Sequence, residues 1–205
     1  MDNLADITYA FSTCEMKSMW YYYIKICKEV INLRETLYDI KNRRSCRKYL
    51  TKQIKDEELN AILEAGMYAP TGMGKQSPYI VVVQEPELVR KLSIMNARVA
   101  GMKGDPFYGA PTVLIVFADK ERPTYLYDGT LVMGNLMNAA QAVGVDSCFI
   151  FRAKEMFESE EGKKLMNRWG LPDTCEGIGN CILGYRAEGG VREAAPRKEN
   201  YIIRA

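Results

Sequence analysis

The residues best equipped for chemistry sit in Arg43-Arg44-Ser45-Cys46-Arg47-Lys48-Tyr49. In an extended chain the period of two puts Arg43, Ser45 and Arg47 on one face, with Arg44 and Lys48 on the other. Two guanidinium forks flanking a hydroxyl match the oxygens of a phosphate, each contact charge-assisted. The same run also reads as a solvated basic face or a weak nucleic-acid patch. One phosphate suits it better than a polyphosphate chain. Neither a P-loop consensus nor a Gly-x-Gly-x-x-Gly occurs, so side chains rather than a glycine nest would have to grip the anion.

A second cluster is Ala69-Pro70-Thr71-Gly72-Met73-Gly74-Lys75-Gln76-Ser77-Pro78. Gly72 and Gly74 permit a tight course and close backbone approach to a flat ligand, while Lys75 and Gln76 bring a cation and an amide to its edge. A plain connecting loop is the alternative. Phe107 and Tyr108, between Asp105-Pro106 and Gly109, form either an aromatic wall beside a ligand or part of the core.

Elements in alternation must hold these clusters. Leu59, Ile62, Leu63, Gly66 and Met67 recur at helical spacing until Pro70 stops them, so the second cluster joins a helix to a strand over 79–83. Leu88, Leu92, Met95 and Val99 predict a helix, and the β-branched run over 112–118 predicts a buried strand opened by Pro111. A long helix over 127–143 carries Val132, Leu136, Ala140 and Val143 on one face and closes at Gly144. A strand over 147–151, one amphipathic helix over 154–169 and a strand over 178–183 follow, before a polar tail with Arg192, Arg197 and Lys198. Residues 1–30, with Trp20-Tyr21-Tyr22-Tyr23, show no clean period and read as an appendage to a domain over 31–205. Their aromatics cover a neighbouring surface or form a satellite cluster.

A chain of 205 residues, 47% apolar and 26% charged, is an ordinary globular composition with room for one sizeable core. Lysine plus arginine minus aspartate plus glutamate is 28 − 26 = +2, so no global charge marks a nucleic-acid or membrane-surface binder. The absence of histidine excludes Ser-His-Asp and Cys-His nucleophilic machinery, His-ligated zinc and imidazole acid-base catalysis. Cys14, Cys27, Cys46, Cys148, Cys175 and Cys181 form no Cys-x-x-Cys pair and read as reduced thiols, with no metal site. Acidic residues interrupt the N-terminal apolar runs, and the stretches over 79–83 and 113–118 are too short to span a bilayer. The expectation is a cytoplasmic protein with neither nucleic acid nor membrane as partner.

Taken in order, these segments resemble the FMN-dependent nitroreductase family. The likeness runs from Ile31 onward: Arg43 to Arg47, the Ala-Pro-Thr-Gly loop with Gln76 and Pro78, and Asp105-Pro106-Phe107-Tyr108-Gly109-Ala110-Pro111. It continues through Ala139-Ala140-Gln141-Ala142-Val143-Gly144, Asp146-Ser147-Cys148-Phe149-Ile150, Gly179-Asn180-Cys181-Ile182-Leu183-Gly184-Tyr185 and Pro196-Arg197-Lys198. The resemblance implies an α+β fold with a central, mainly antiparallel sheet flanked by helices, in an intertwined homodimer that binds one FMN at each end of its interface. Arg43, Arg44, Ser45, Arg47 and Arg197 match phosphate and ribityl contacts. Thr71, Gly72, Met73, Lys75 and Gln76 match the loop along the flavin edge, supplied by the other subunit. The implied activity is ping-pong electron transfer from NADH or NADPH to a small organic acceptor such as a nitroaromatic or a quinone. Phe107 and Tyr108 stand beside the acceptor, and Lys75 acts electrostatically. Reductive dehalogenation, flavin oxidase chemistry and non-catalytic FMN storage are the alternatives on the same fold. Gly74, Ser77 and Phe149 stand where many members carry Asn, Pro and Trp, which bears on substrate preference rather than on cofactor.

Overall fold

A computed structural model describes residues 35–205, and the chain divides into two units between Asn42 and Arg43. In the first, residues 35–42 are helical and the Asn42 amide donates to the Tyr38 carbonyl at 2.7 Å. The appendage expected over residues 1–30 lies outside the described residues. The second unit runs α1 (Asp56–Met67), a 3-10 turn (Gly72–Gly74), β1 (Pro78–Val83), α2 (Pro86–Ala100) and β2 (Thr112–Asp119). It continues with α3 (Tyr125–Ala142), β3 (Asp146–Ile150), α4 (Ala153–Glu158), α5 (Glu160–Arg168) and β4 (Cys175–Gly184).

The four strands form one antiparallel sheet in the order β1-β2-β4-β3, with a bulge at Ile178 of β4 opposite Val116 and Phe117 of β2. Side chains alternate across a strand, so apolar residues at every position of β2 demand cover on both faces. Val113, Ile115 and Phe117 pack with Leu92 and Met95 of α2, Met156 and Phe157 of α4 and Leu165 of α5. Leu114, Val116 and Ala118 pack with Ile62 of α1 and Val132, Met133 and Leu136 of α3. The result is the α+β architecture expected, with helices on both sides of the sheet. Among the described residues no helix is long and apolar enough to cross a membrane.

Three of the differences from the sequence expectation have a visible physical cause. The single helix over 154–169 is two, because Ser159 is extended (φ −68°, ψ 156°) and serves as the N-cap of α5, accepting from the Gly162 N–H at 3.1 Å. β3 stops at Ile150, and Phe151 is 67% exposed where the chain turns through Arg152 at φ 74° into α4. The amides of Asn96 and Asn180 hold this exit, donating to the carbonyls of Phe151 (2.7 Å) and Ile150 (3.3 Å). β4 begins at Cys175, three residues before the expected start, because Gly177 lies flat against α4. A Cβ there would stand 2.7 Å from the Ala153 backbone.

Cys46, Cys148, Cys175 and Cys181 are free and buried. Burial pushes the Cys175 thiol up to about 11 and that of Cys181 up to about 12, and it raises Cys46 as well. Those three thiols are therefore neutral at pH 8, and burial shields all four. Native protein treated with iodoacetamide at that pH should show none of the four modified on peptide mapping until denaturant is added. Rapid native labelling of Cys181 would mean that the centre of the sheet opens.

Candidate functional site

The basic segment lies along the outer edge of β3 and then crosses to the end of β4. Ser45 bridges Ser147 in parallel, and the Cys46 N–H donates to the Ser147 carbonyl at 3.0 Å. Arg47 N–H then donates to Gly190 O at 2.7 Å, and Tyr49 pairs with Arg186. Burial does not follow a period of two along this path. Cys46 and Tyr49 are buried, Arg43, Arg44 and Ser45 are half-buried, and Arg47 is exposed. The crossing from one strand to the next interrupts the pleat and turns Arg47 outward.

Arg43 is the unusual member. Its Nη1 is buried without a hydrogen-bond partner, and so is the Oγ of Ser147, which pairs with the adjoining Ser45. The Arg43 guanidinium reaches far enough inward to favour the thiolate of Cys181 against the larger effect of burial. A guanidinium nitrogen withdrawn from water with no acceptor carries a full desolvation cost, and an anionic oxygen would remove it. The donor set thus fits the phosphate of FMN. Arg44 donates through Nη1 to the Arg43 carbonyl at 2.7 Å. Arg197 lies in the exposed tail with Nη2 on the Ala195 carbonyl at 2.7 Å, and no described hydrogen bond joins it to Arg43, Ser45 or Arg47.

The loop after α1 closes on itself. Gly74 N–H donates to Thr71 O at 3.0 Å, Lys75 N–H to Gly72 O at 3.1 Å, and Gln76 N–H to Thr71 Oγ1 at 3.0 Å. Met73 and Gln76 adopt left-handed conformations (φ 52° and 49°), each costing about 1–3 kcal/mol and tolerated only where surroundings enforce them. Those surroundings centre on Asp128 in the first turn of α3, only 3% exposed. Its Oδ1 accepts from the Gly72 N–H at 3.0 Å, and its Oδ2 from the hydroxyls of Ser77 and Thr124 at 3.0 Å each. Gly72 passes so close to α3 that a Cβ would meet Thr124 Oγ1 at 2.3 Å. Met73, Gly74, Lys75 and Gln76 are left on the surface, and Met73 is 86% exposed. Beside them opens an apolar cleft of about 630 Å³ lined by Met67, Tyr68, Ile80 and Val82. Sequence reasoning missed Asp128. The available signal was an acid four residues after Thr124 on an otherwise apolar helix.

Phe107 and Tyr108 sit in a turn built by Asp105, whose carboxylate accepts from the N–H groups of Phe107 (2.8 Å) and Gly109 (2.6 Å) and from the Ser93 hydroxyl. Phe107 is 1% exposed and belongs to the core on the α2 side, with Tyr108 half-buried against it. Next to this turn lies a cleft of about 590 Å³ lined by Gln53, Gln84, Val89, Ser93 and Asp105. No group of three metal-ligating side chains occurs among the described residues.

Comparison with known proteins bears on these features. A model described as the Nitroreductase family matches residues 40–185. A Bacteroides fragilis nitroreductase solved with bound FMN superposes with a TM-score of 0.75 at 31% identity, covering 83% of this chain and 98% of that one. A Desulfitobacterium hafniense nitroreductase, also solved with bound FMN, gives a TM-score of 0.75 at 26% identity with the same coverage of both chains. An Archaeoglobus fulgidus protein, whose name carries both NADH dehydrogenase and NAD(P)H nitroreductase, is 29% identical over 159 residues, 75% of this chain and 86% of that one. The Arg43 to Arg47 segment, the Asp128-bound loop and the four-stranded sheet all fall within the matched span, and the chain belongs to the nitroreductase family.

Proposed function

We propose that this chain is an FMN-dependent NAD(P)H oxidoreductase acting as a homodimer, with residues 31–205 forming the FMN-binding domain. The observation that carries the reading is the buried, unpartnered Nη1 of Arg43 beside Ser45, an arrangement that calls for an anion. The FMN bound in the two solved relatives supports the same anion. Arg43, Arg44, Ser45 and Arg47 would hold the phosphate and ribityl chain, with Arg197 joining from the tail. Thr71, Gly72, Met73, Lys75 and Gln76 would line the ring edge. The chemistry supplied by bound FMN is two-electron transfer, from NADH or NADPH to a small organic acceptor such as a nitroaromatic or a quinone, in alternating half-reactions at one place.

The protein's own part is binding, orientation and electrostatics. No residue need act as an obligatory general acid, because solvent can protonate the product. Lys75 sets a cation at the ring edge, where it favours the more negative reduced state over the oxidised one. Met67, Tyr68, Met73, Tyr127 and Leu131 are large apolar side chains left exposed around the loop and α3, a patch suited to a second copy of the chain. The four unpaired buried thiols accord with a reducing, cytoplasmic setting.

The protein should purify yellow with about one FMN per chain, measured by absorbance and chromatography of the flavin released on denaturation. Colourless protein that takes up no added FMN contradicts the proposal. Arg43→Ala and Arg197→Ala should each remove a charge-assisted contact of about 1.5–3 kcal/mol and weaken FMN binding by about tenfold or more in a fluorescence titration. Unchanged affinity in both would mean that neither arginine holds the phosphate. Lys75→Met should lower the reduction potential of the bound flavin in spectroelectrochemical titration while leaving FMN affinity nearly intact. An unchanged potential with FMN fully bound would leave Lys75 with no electronic role.

A further inference from the structure

Asp128 takes no part in the chemistry above, yet it is the most heavily hydrogen-bonded carboxylate near the loop. A carboxylate taken out of water is stable only with its oxygens satisfied, and three donors satisfy this one. Two of the three bind the loop itself, at its start (Gly72 N–H) and at its end (Ser77 Oγ). The third, Thr124, packs directly on Gly72, so the same contact limits how far the loop can move towards α3. Between these anchors lie Met73 and Gln76 in left-handed conformations and the exposed Lys75. A loop that strained, with an exposed tip, keeps one shape only while both ends are held.

We propose that Asp128 is the positioning residue of this site: it fixes the loop over 71–77 from beneath and so determines how strongly Lys75 acts on the flavin. The inference rests on the reading of Lys75 given above. It also makes a prediction of sign. If the carboxylate acted directly on the flavin, its removal would raise the reduction potential, because a negative charge disfavours the anionic reduced state. Acting through the loop, its removal lowers the potential, because Lys75 loses its place.

The test uses FMN-loaded dimer for potentials and the same protein stripped of flavin for hydrogen exchange. Asp128→Ala should speed exchange of the loop amides of Gly72 and Gln76 by about tenfold or more in the stripped protein. In the loaded protein it should shift the potential downward, in the direction of Lys75→Met. The double variant should show the potential of Lys75→Met alone, since a residue acting through Lys75 has nothing left to act through. Asp128→Asn should restore the wild-type potential, because its Oδ1 still accepts from Gly72 and its amide can donate to hydroxyls that rotate to receive it. If Asp128→Ala does not fold, Ser77→Ala removes one anchor and should produce the same downward shift in smaller measure. A potential that rises, stays unchanged or shifts additively with Lys75→Met overturns the role of Asp128 while leaving that of Lys75 standing. A Lys75→Met variant with the parent potential removes both.

Discussion

β2 and β4 are the strands with neighbours on both sides, and each is buried along nearly its whole length, so the sheet can exist in water only with helices on both faces. Everything that positions the site descends from that pairing. On one face the demand for cover is met by α2, α4 and α5, and the break at Ser159 lets two short helices follow a surface that one straight helix would leave. On the other face α3 is pinned through Leu136 and Met133 against Leu114 and Val116, which carries the first turn of α3, and Asp128 with it, to the loop after α1. Burial of apolar area drives this at about 25 cal/mol per Å². The polar anchors then choose one loop geometry among the many that the packing alone would allow.

The two parts of the site are built on different principles. The basic segment is held by backbone hydrogen bonds from Cys46 to Ser147 and from Arg47 to Gly190, which tie down the chain just after Arg43. The loop over 71–77 is short, strained and exposed, and its shape depends on hydrogen bonds to one side-chain carboxylate. A rigid anion cradle suits a cofactor that stays, whereas the exposed tip of a tied loop suits a surface where ligands come and go.

Much of this was legible in the sequence, and the rest was hidden for identifiable reasons. The β-branched runs around Val82 and Ile115 marked strands because such residues are enriched in strands relative to helices. The helix faces through Ile62 and Leu136 marked α1 and α3 by period alone. The break at Ser159 was invisible because Met156, Phe157, Leu165 and Met166 keep the apolar pattern going across it. The early start of β4 was invisible because Gly177 has no side chain to report burial. Residue type suggested an anion contact at Arg43, but not that its Nη1 is buried, which follows from how the segment docks against β3. Asp128 reads in sequence as an ordinary acid in the first turn of a helix. Two of its partners, Gly72 and Ser77, are more than fifty residues away along the chain, and only the fold brings them together.

The central claim is that the buried Nη1 of Arg43 receives the phosphate of FMN, and a comparison of FMN with riboflavin tests it most directly, because the two share a ring and a ribityl chain and differ only in that phosphate. With flavin-free protein titrated by fluorescence quenching, the account predicts that FMN binds about a hundredfold or more tighter than riboflavin, and that Arg43→Ala narrows this gap by about tenfold while hardly changing riboflavin binding. Equal affinity for the two flavins, or a gap untouched by Arg43→Ala, would contradict it.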